Sequence, residues 1–257
     1  MRRTTAALLL FGLSFGYLEA AVVVYLRSIY DPIRQRIHPG KNPSDLFPLI
    51  TPEQLAAAGP EHSRHLTIEI GREAATIIML AAFGMVTGRN RNERWAAFAV
   101  AFGLWDIAFY ASLKLMIDWP ASLFTWDILF LIPLPWVGPV LAPVLIALAL
   151  VICGLISLYL GGLPAKPVHW LAMTSGGAVV IASFIWDYRN TIAGGMPNPF
   201  NWPLFLVGFA ISLTGFVFAS KSREYRESRI LPDSESQPRS FETAGSSPDP
   251  AIPSSPN

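Results

Sequence analysis

The sequence predicts an all-α fold: an integral membrane bundle of about six transmembrane helices plus a short re-entrant or interfacial helix. Three observations carry that expectation. Of 257 residues, 52% are hydrophobic and only 14% charged, where a soluble domain has roughly 25% charged residues. The apolar residues gather into runs close to the about 20 residues with which a helix crosses a hydrocarbon core roughly 30 Å thick. Basic residues lie on the flanks of those runs. A mean hydropathy of +0.42 argues against a water-soluble enzyme and against a disordered chain. The formal net charge of +1 creates no field that would recruit nucleic acid. One cysteine, Cys153, excludes an internal disulfide and any multi-cysteine metal site.

The elements follow in order along a single transmembrane domain, 1–220. The first span, 5–26, is an apolar run whose one charged residue is Glu19. An opening Met-Arg-Arg also suits a secretory signal peptide, but Leu18-Glu19-Ala20 is a poor small-x-small cleavage site, so an uncleaved span is expected. An outer loop, 27–65, follows. The second span, 66–86, is free of charge only over 74–86, which as helix covers only about 20 Å; Glu69, Arg72 and Glu73 are therefore expected at membrane depth. The third span is 95–117. Residues 121–138 are apolar but carry Pro133 and Pro135, and the stretch before Pro133 is too short to cross, so a re-entrant or interfacial helix broken at Pro133 is expected. Spans follow at 140–160, 169–186 and 202–220. From Pro232 onward Ser, Pro and acidic residues dominate, and 221–257 is expected to be a disordered cytoplasmic tail.

The basic residues set the orientation. Arg2, Arg3, Arg89, Arg91, Arg94, Lys166 and the run Lys221, Arg223, Arg226, Arg229 fall on one side, whereas most basic residues on the other side lie in the long loop 27–65, which weighs less. Both termini are expected to be cytoplasmic.

Ionisable groups inside a span are costly and mark function by default. Here they gather at the middle and outer half of the bundle, and helical spacing aligns them. Gly12, Gly16 and Glu19 form one stripe, in which small residues that permit close helix contact mark the carboxylate's face. His62, His65, Glu69, Glu73 and Thr76 form a second; Gly103, Asp106, Tyr110 and Lys114 form a third. Trp-Asp recurs as Trp105-Asp106, Trp126-Asp127 and Trp186-Asp187. Interfacial Trp and helix-end Asp explain the others, but Asp106 lies mid-span. A polar chamber lined by Glu19, Glu69, Glu73, Asp106, Tyr110 and Asp127 is the expected binding site.

Two sets of residues invite specific chemistry. His62, His65, Glu69 and Glu73 carry ligand types that bind a divalent metal in helical bundles; the same residues also suit a helix whose first turns are wet, with Arg72 neutralising Glu69 or Glu73. Asp106, Tyr110 and Lys114 suit a proton relay or, equally, an intramembrane ion pair that sets helix register. The turn 133–139 either lines a substrate entrance or anchors an interfacial loop through Trp136. His169 reads as interfacial, Cys153 as packing, and Gly208, Ser212 and Gly215 as a helix contact.

The strings Tyr17-Leu18-Glu19-Ala20-Ala21-Val22-Val23-Val24-Tyr25-Leu26-Arg27 and Trp126-Asp127-Ile128-Leu129-Phe130-Leu131-Ile132-Pro133 resemble those of bacterial multi-pass membrane proteins without an assigned activity. The resemblance covers about a fifth of the chain. It implies a bacterial inner (plasma) membrane location and adds no mechanism.

Three functions fit. One is binding or translocation of a cation, a proton or a cationic solute by the acidic chamber. A second is a membrane-embedded enzyme, metal-dependent if a divalent metal is held, acting on a lipid-linked substrate. A third is a structural subunit whose charges only pair helices. The lipid bilayer is the one partner common to all, and the sequence sets no oligomeric state.

Overall fold

The computed structural model describes residues 2–42, 45–163 and 165–230. In chain order these form α1 (Arg2–Ile37), α2 (Pro52–Ala58), α3 (Pro60–Thr87), α4 (Arg91–Ile117), β1 (Trp126–Phe130), β2 (Trp136–Pro139), α5 (Leu141–Tyr159), α6 (Pro167–Ile185), α7 (Tyr188–Ile192) and α8 (Trp202–Ile230). Six helical segments are long and apolar enough to cross a membrane: α1, α3, α4, α5, α6 with α7, and α8. Large apolar side chains cover their outward faces, with Leu115 exposed at 88% and Val86 at 86%. A water-facing bundle would hide such groups, so the architecture points to a multi-pass membrane protein.

Local chemistry sets the helix ends. Thr51 and Gln54 form a reciprocal capping box on α2, with Pro52 in its first turn. Gly59, at φ 144°, makes the corner into α3 that a residue with a Cβ would resist, and Pro60 opens the next helix. Asn90 caps α4 by accepting from the Glu93 N–H at 2.9 Å, and Asp118 closes it in the left-handed region.

α4 is the central helix. α1, α3 and α5 pack on it, while α6 and α8 form a second pair that reaches the rest chiefly through β2 and α5. Glycines permit the closest crossings. A Cβ on Gly16 would meet Ala108 Cβ at 2.6 Å, and one on Gly208 would meet Gly176 O at 2.7 Å. Gly12 and Gly16 therefore face α4.

The stretch 121–138 is not a helix. Strands β1 and β2 pair antiparallel, Trp126 with Pro139, Asp127 with Gly138 and Ile128 with Val137, with an irregularity between Ile128 and Phe130. Pro133 and Pro135 forbid a continuous helix, and the flanking Trp, Ile, Phe and Val residues favour strands. Pairing the strands satisfies their backbone groups inside the bundle, a need that a broken helix would meet less well. The hairpin enters from the end opposite the N-terminus, here the distal end, and Leu129 packs against the buried clusters around both Tyr110 and Phe184.

Two boundaries also differ from expectation. The loop expected over 27–65 is largely helical: α1 runs to Ile37 and α3 begins at Pro60. At about 1.5 Å per residue, the 36 residues of α1 cover about 54 Å, more than the thickness of a hydrocarbon core. At the other end α8 continues through 221–230, where no Pro or Gly interrupts good helix formers until Pro232; the rest of the expected tail, 231–257, lies outside the described residues.

Candidate functional site

Beneath the hairpin, α1, α3, α4, α5 and α6 enclose a cavity of about 320 Å³. Glu19, Glu69, Glu73, Asp106, Tyr110 and Asp127 all line it, as do Arg72 and Thr76. The polar groups occupy the α1, α3, α4 and β1 walls; Phe102, Trp105, Phe109, Phe130, Trp136 and Phe184 make much of the remainder aromatic.

Arg72 organises one side. Its guanidinium bonds Glu69 through Nε, at 3.0 and 2.9 Å to the two carboxylate oxygens, and through Nη2. Its Nη1 donates to Glu19 of α1 and to the Thr76 hydroxyl at 3.3 Å. Thr76 in turn donates to Glu19 at 3.4 Å. One fixed fork thus holds two carboxylates from two helices, a geometry that guanidinium suits and a lysine ammonium does not.

Two further carboxyls pin the hairpin. Glu73, a turn further along α3, accepts the Leu131 N–H at 2.8 Å, so the hairpin tip is tied to mid-helix. On β1, Asp127 accepts the Tyr110 hydroxyl at 2.8 Å and the Ile128 N–H at 2.9 Å. Glu19, Glu73 and Asp127 are all buried.

Asp106 differs from all of these. It lines the cavity half-buried, and among the described residues no hydrogen bond or ion pair engages it. Nearby, the indole N–H groups of Trp105 and Trp136 are buried and without a partner. The cavity therefore offers one unengaged carboxyl set among aromatic rings.

The expected histidines stand apart. His62 and His65 lie ring to ring at 6.2 Å, His62 Nε2 is 3.3 Å from Glu61, and neither lines the cavity. A stripe from His62 to Glu73 extends about 16 Å along its helix axis, so its members cannot share ligand bonds of about 2 Å. Among the described residues no group of three or more His, Cys, Asp or Glu side chains gathers to hold a metal. Lys114 also leaves the expected trio: it pairs with Asp118 at 2.6 Å on the exposed end of α4. That hydrogen bond and charge hold the Asp118 carboxyl below its usual range. Asp187 organises a surface turn, accepting from Asn198 N–H at 2.8 Å and from Asn190 at 3.0 Å.

Sequence reasoning left Trp105, Trp136 and the Leu131 N–H out of the site. Trp105 reads only as the neighbour of Asp106 and Trp136 only as part of the turn 133–139, and a backbone donor in a Pro-rich turn has no residue type to betray it. No protein-family model matches the chain, and neither does any curated protein or solved structure.

Proposed function

We propose that the chamber binds a small cation or cationic solute reached from the distal end, the outer face when both termini are cytoplasmic. One observation carries this reading: five carboxyls, Glu19, Glu69, Glu73, Asp106 and Asp127, share a cavity with one guanidinium. In a low-dielectric interior such an excess of negative charge is untenable without protons or a bound cation. Arg72 compensates Glu19 and Glu69, and neutral donors satisfy Glu73 and Asp127. Asp106 is the carboxyl left for a ligand. The aromatic walls add the negative faces of their rings, which attract cations at close range.

The metal-dependent enzyme has less support, because its four ligand candidates form a ladder along α3 and Glu69 is already held by Arg72. The purely structural reading leaves Asp106 without a partner helix.

The test is titration of ethylammonium into the protein in lipid nanodiscs. Saturable binding is expected, with Asp106→Asn weakening it at least tenfold. Because protons compete for the same carboxyl, the affinity should fall as the pH is lowered. Unchanged binding in the Asn variant, or no binding to the native protein, would overturn the proposal.

A further inference from the structure

A second cavity, of about 380 Å³, runs along the bundle between α4, α5, α6 and α8 on the side of the N-terminal end. Its walls are almost wholly apolar and include Trp95 of α4, Cys153 of α5, Trp170 of α6 and Phe209 of α8. It adjoins the chamber: Phe98, Ile146, Leu150, Gly177 and Val180 line both cavities. At the junction lies Gly177, where an added Cβ would meet nothing within 4 Å.

The two halves differ in chemistry in the manner of an amphiphile. One end has the unengaged Asp106 carboxyl; the other is almost wholly hydrocarbon and ring surface. Asp106 and Trp95 are about eleven residues apart on α4, or about 16 Å along the axis at ~1.5 Å per residue, which an extended chain of about a dozen carbons matches. The groove lies where the α6 and α8 pair departs from the α4 and α5 pair, so a chain could enter sideways from the bilayer.

We propose that chamber and groove form one site for a single-chain amphiphile with an ammonium head, the head at Asp106 and the chain lying in the groove toward Trp95 and Trp170. The inference rests on the cation-binding reading and adds to it what the cation carries. Charge complementarity selects the head. The chain is held by apolar contact and by exclusion of competing lipid, so the gain over a headgroup alone comes from the fit of the groove.

The test compares ethylammonium with dodecylammonium in nanodiscs, with partition into protein-free nanodiscs subtracted. The native protein should bind dodecylammonium at least tenfold more tightly than ethylammonium. Gly177→Leu fills the junction without meeting protein at its Cβ, and leucine suits a helix interior better than glycine; it should cut the ratio at least threefold. Gly177→Ala, too small to block the passage, should retain it. Asp106→Asn should weaken both ligands at least tenfold. A native ratio below tenfold, or a ratio unchanged in Gly177→Leu, overturns the amphiphile and leaves the small-cation reading standing. If neither ligand binds, the cation-binding reading falls and the inference with it.

Discussion

Glu19, the partner of Arg72, and Asp106 lie in one cavity, yet their substitution should have opposite consequences. Arg72 is bonded to Glu69 on its own helix and to Glu19, whose sequence position is 53 residues away. Removing a partner from a buried ion pair costs about 3–5 kcal/mol, because the remaining charge is stranded. The amide in Glu19→Gln still accepts a hydrogen bond but carries no charge, so a loss toward the lower end, about 3 kcal/mol, is expected as a lowered thermal midpoint in detergent. Asp106→Asn strands nothing and removes an uncompensated charge from a half-buried wall, so its midpoint should stay level or rise. A marked fall for Asp106→Asn would mean that Asp106 holds the fold together and is not reserved for a ligand. At this scale the sequence placed five of the six chamber residues on inward stripes and Asp127 on the piece between spans, but not who pairs with whom. Helical spacing shows which face a side chain occupies, whereas partnership depends on a distance between helices.

Each element bears on the chamber through a close approach. α1 brings Glu19 to Arg72 because Gly16 lets its backbone touch α4, where a Cβ would lie 2.6 Å from Ala108 Cβ and 2.9 Å from the Phe109 backbone nitrogen. Gly16→Val must push α1 away, since backbone cannot yield as a side chain does; overpacking of this kind costs about 1–3 kcal/mol. Gly71 on α3 is the control, for its Cβ would meet nothing, and Gly71→Ala should stabilise by about 0.5–1 kcal/mol through helix propensity alone. Thermal unfolding of the two variants checks both signs. Equal behaviour would show that the contact between α1 and α4 is loose. The glycine stripe was legible because small residues at helical spacing have few other uses inside a span. The hairpin was not legible, because a short apolar run interrupted by prolines has the same composition whether it ends as a broken helix or as two strands. Its choice depends on the Glu73 and Tyr110 contacts that receive it.

On the scale of the whole molecule, six apolar helices form two bodies, α1, α3, α4 and α5 against α6 and α8, joined through the hairpin and a few contacts with α5. If the termini are cytoplasmic, the hairpin and the chamber beneath it face outward. With Cys153 first replaced by alanine, a cysteine at Lys41 should react with an impermeant maleimide on intact cells, and one at Arg89 only after permeabilisation; the reverse pattern would invert the proposed orientation. What the sequence determined by itself was whatever has a local period or a local composition: the helical spans and the inward faces. Tertiary structure alone decided that His62 and His65 stand clear of the cavity, that Arg72 serves two carboxylates, and that Asp106 is left without a partner among the described residues. These are relations between helices, fixed by how surfaces distant in sequence pack, and no single run of residues carries them.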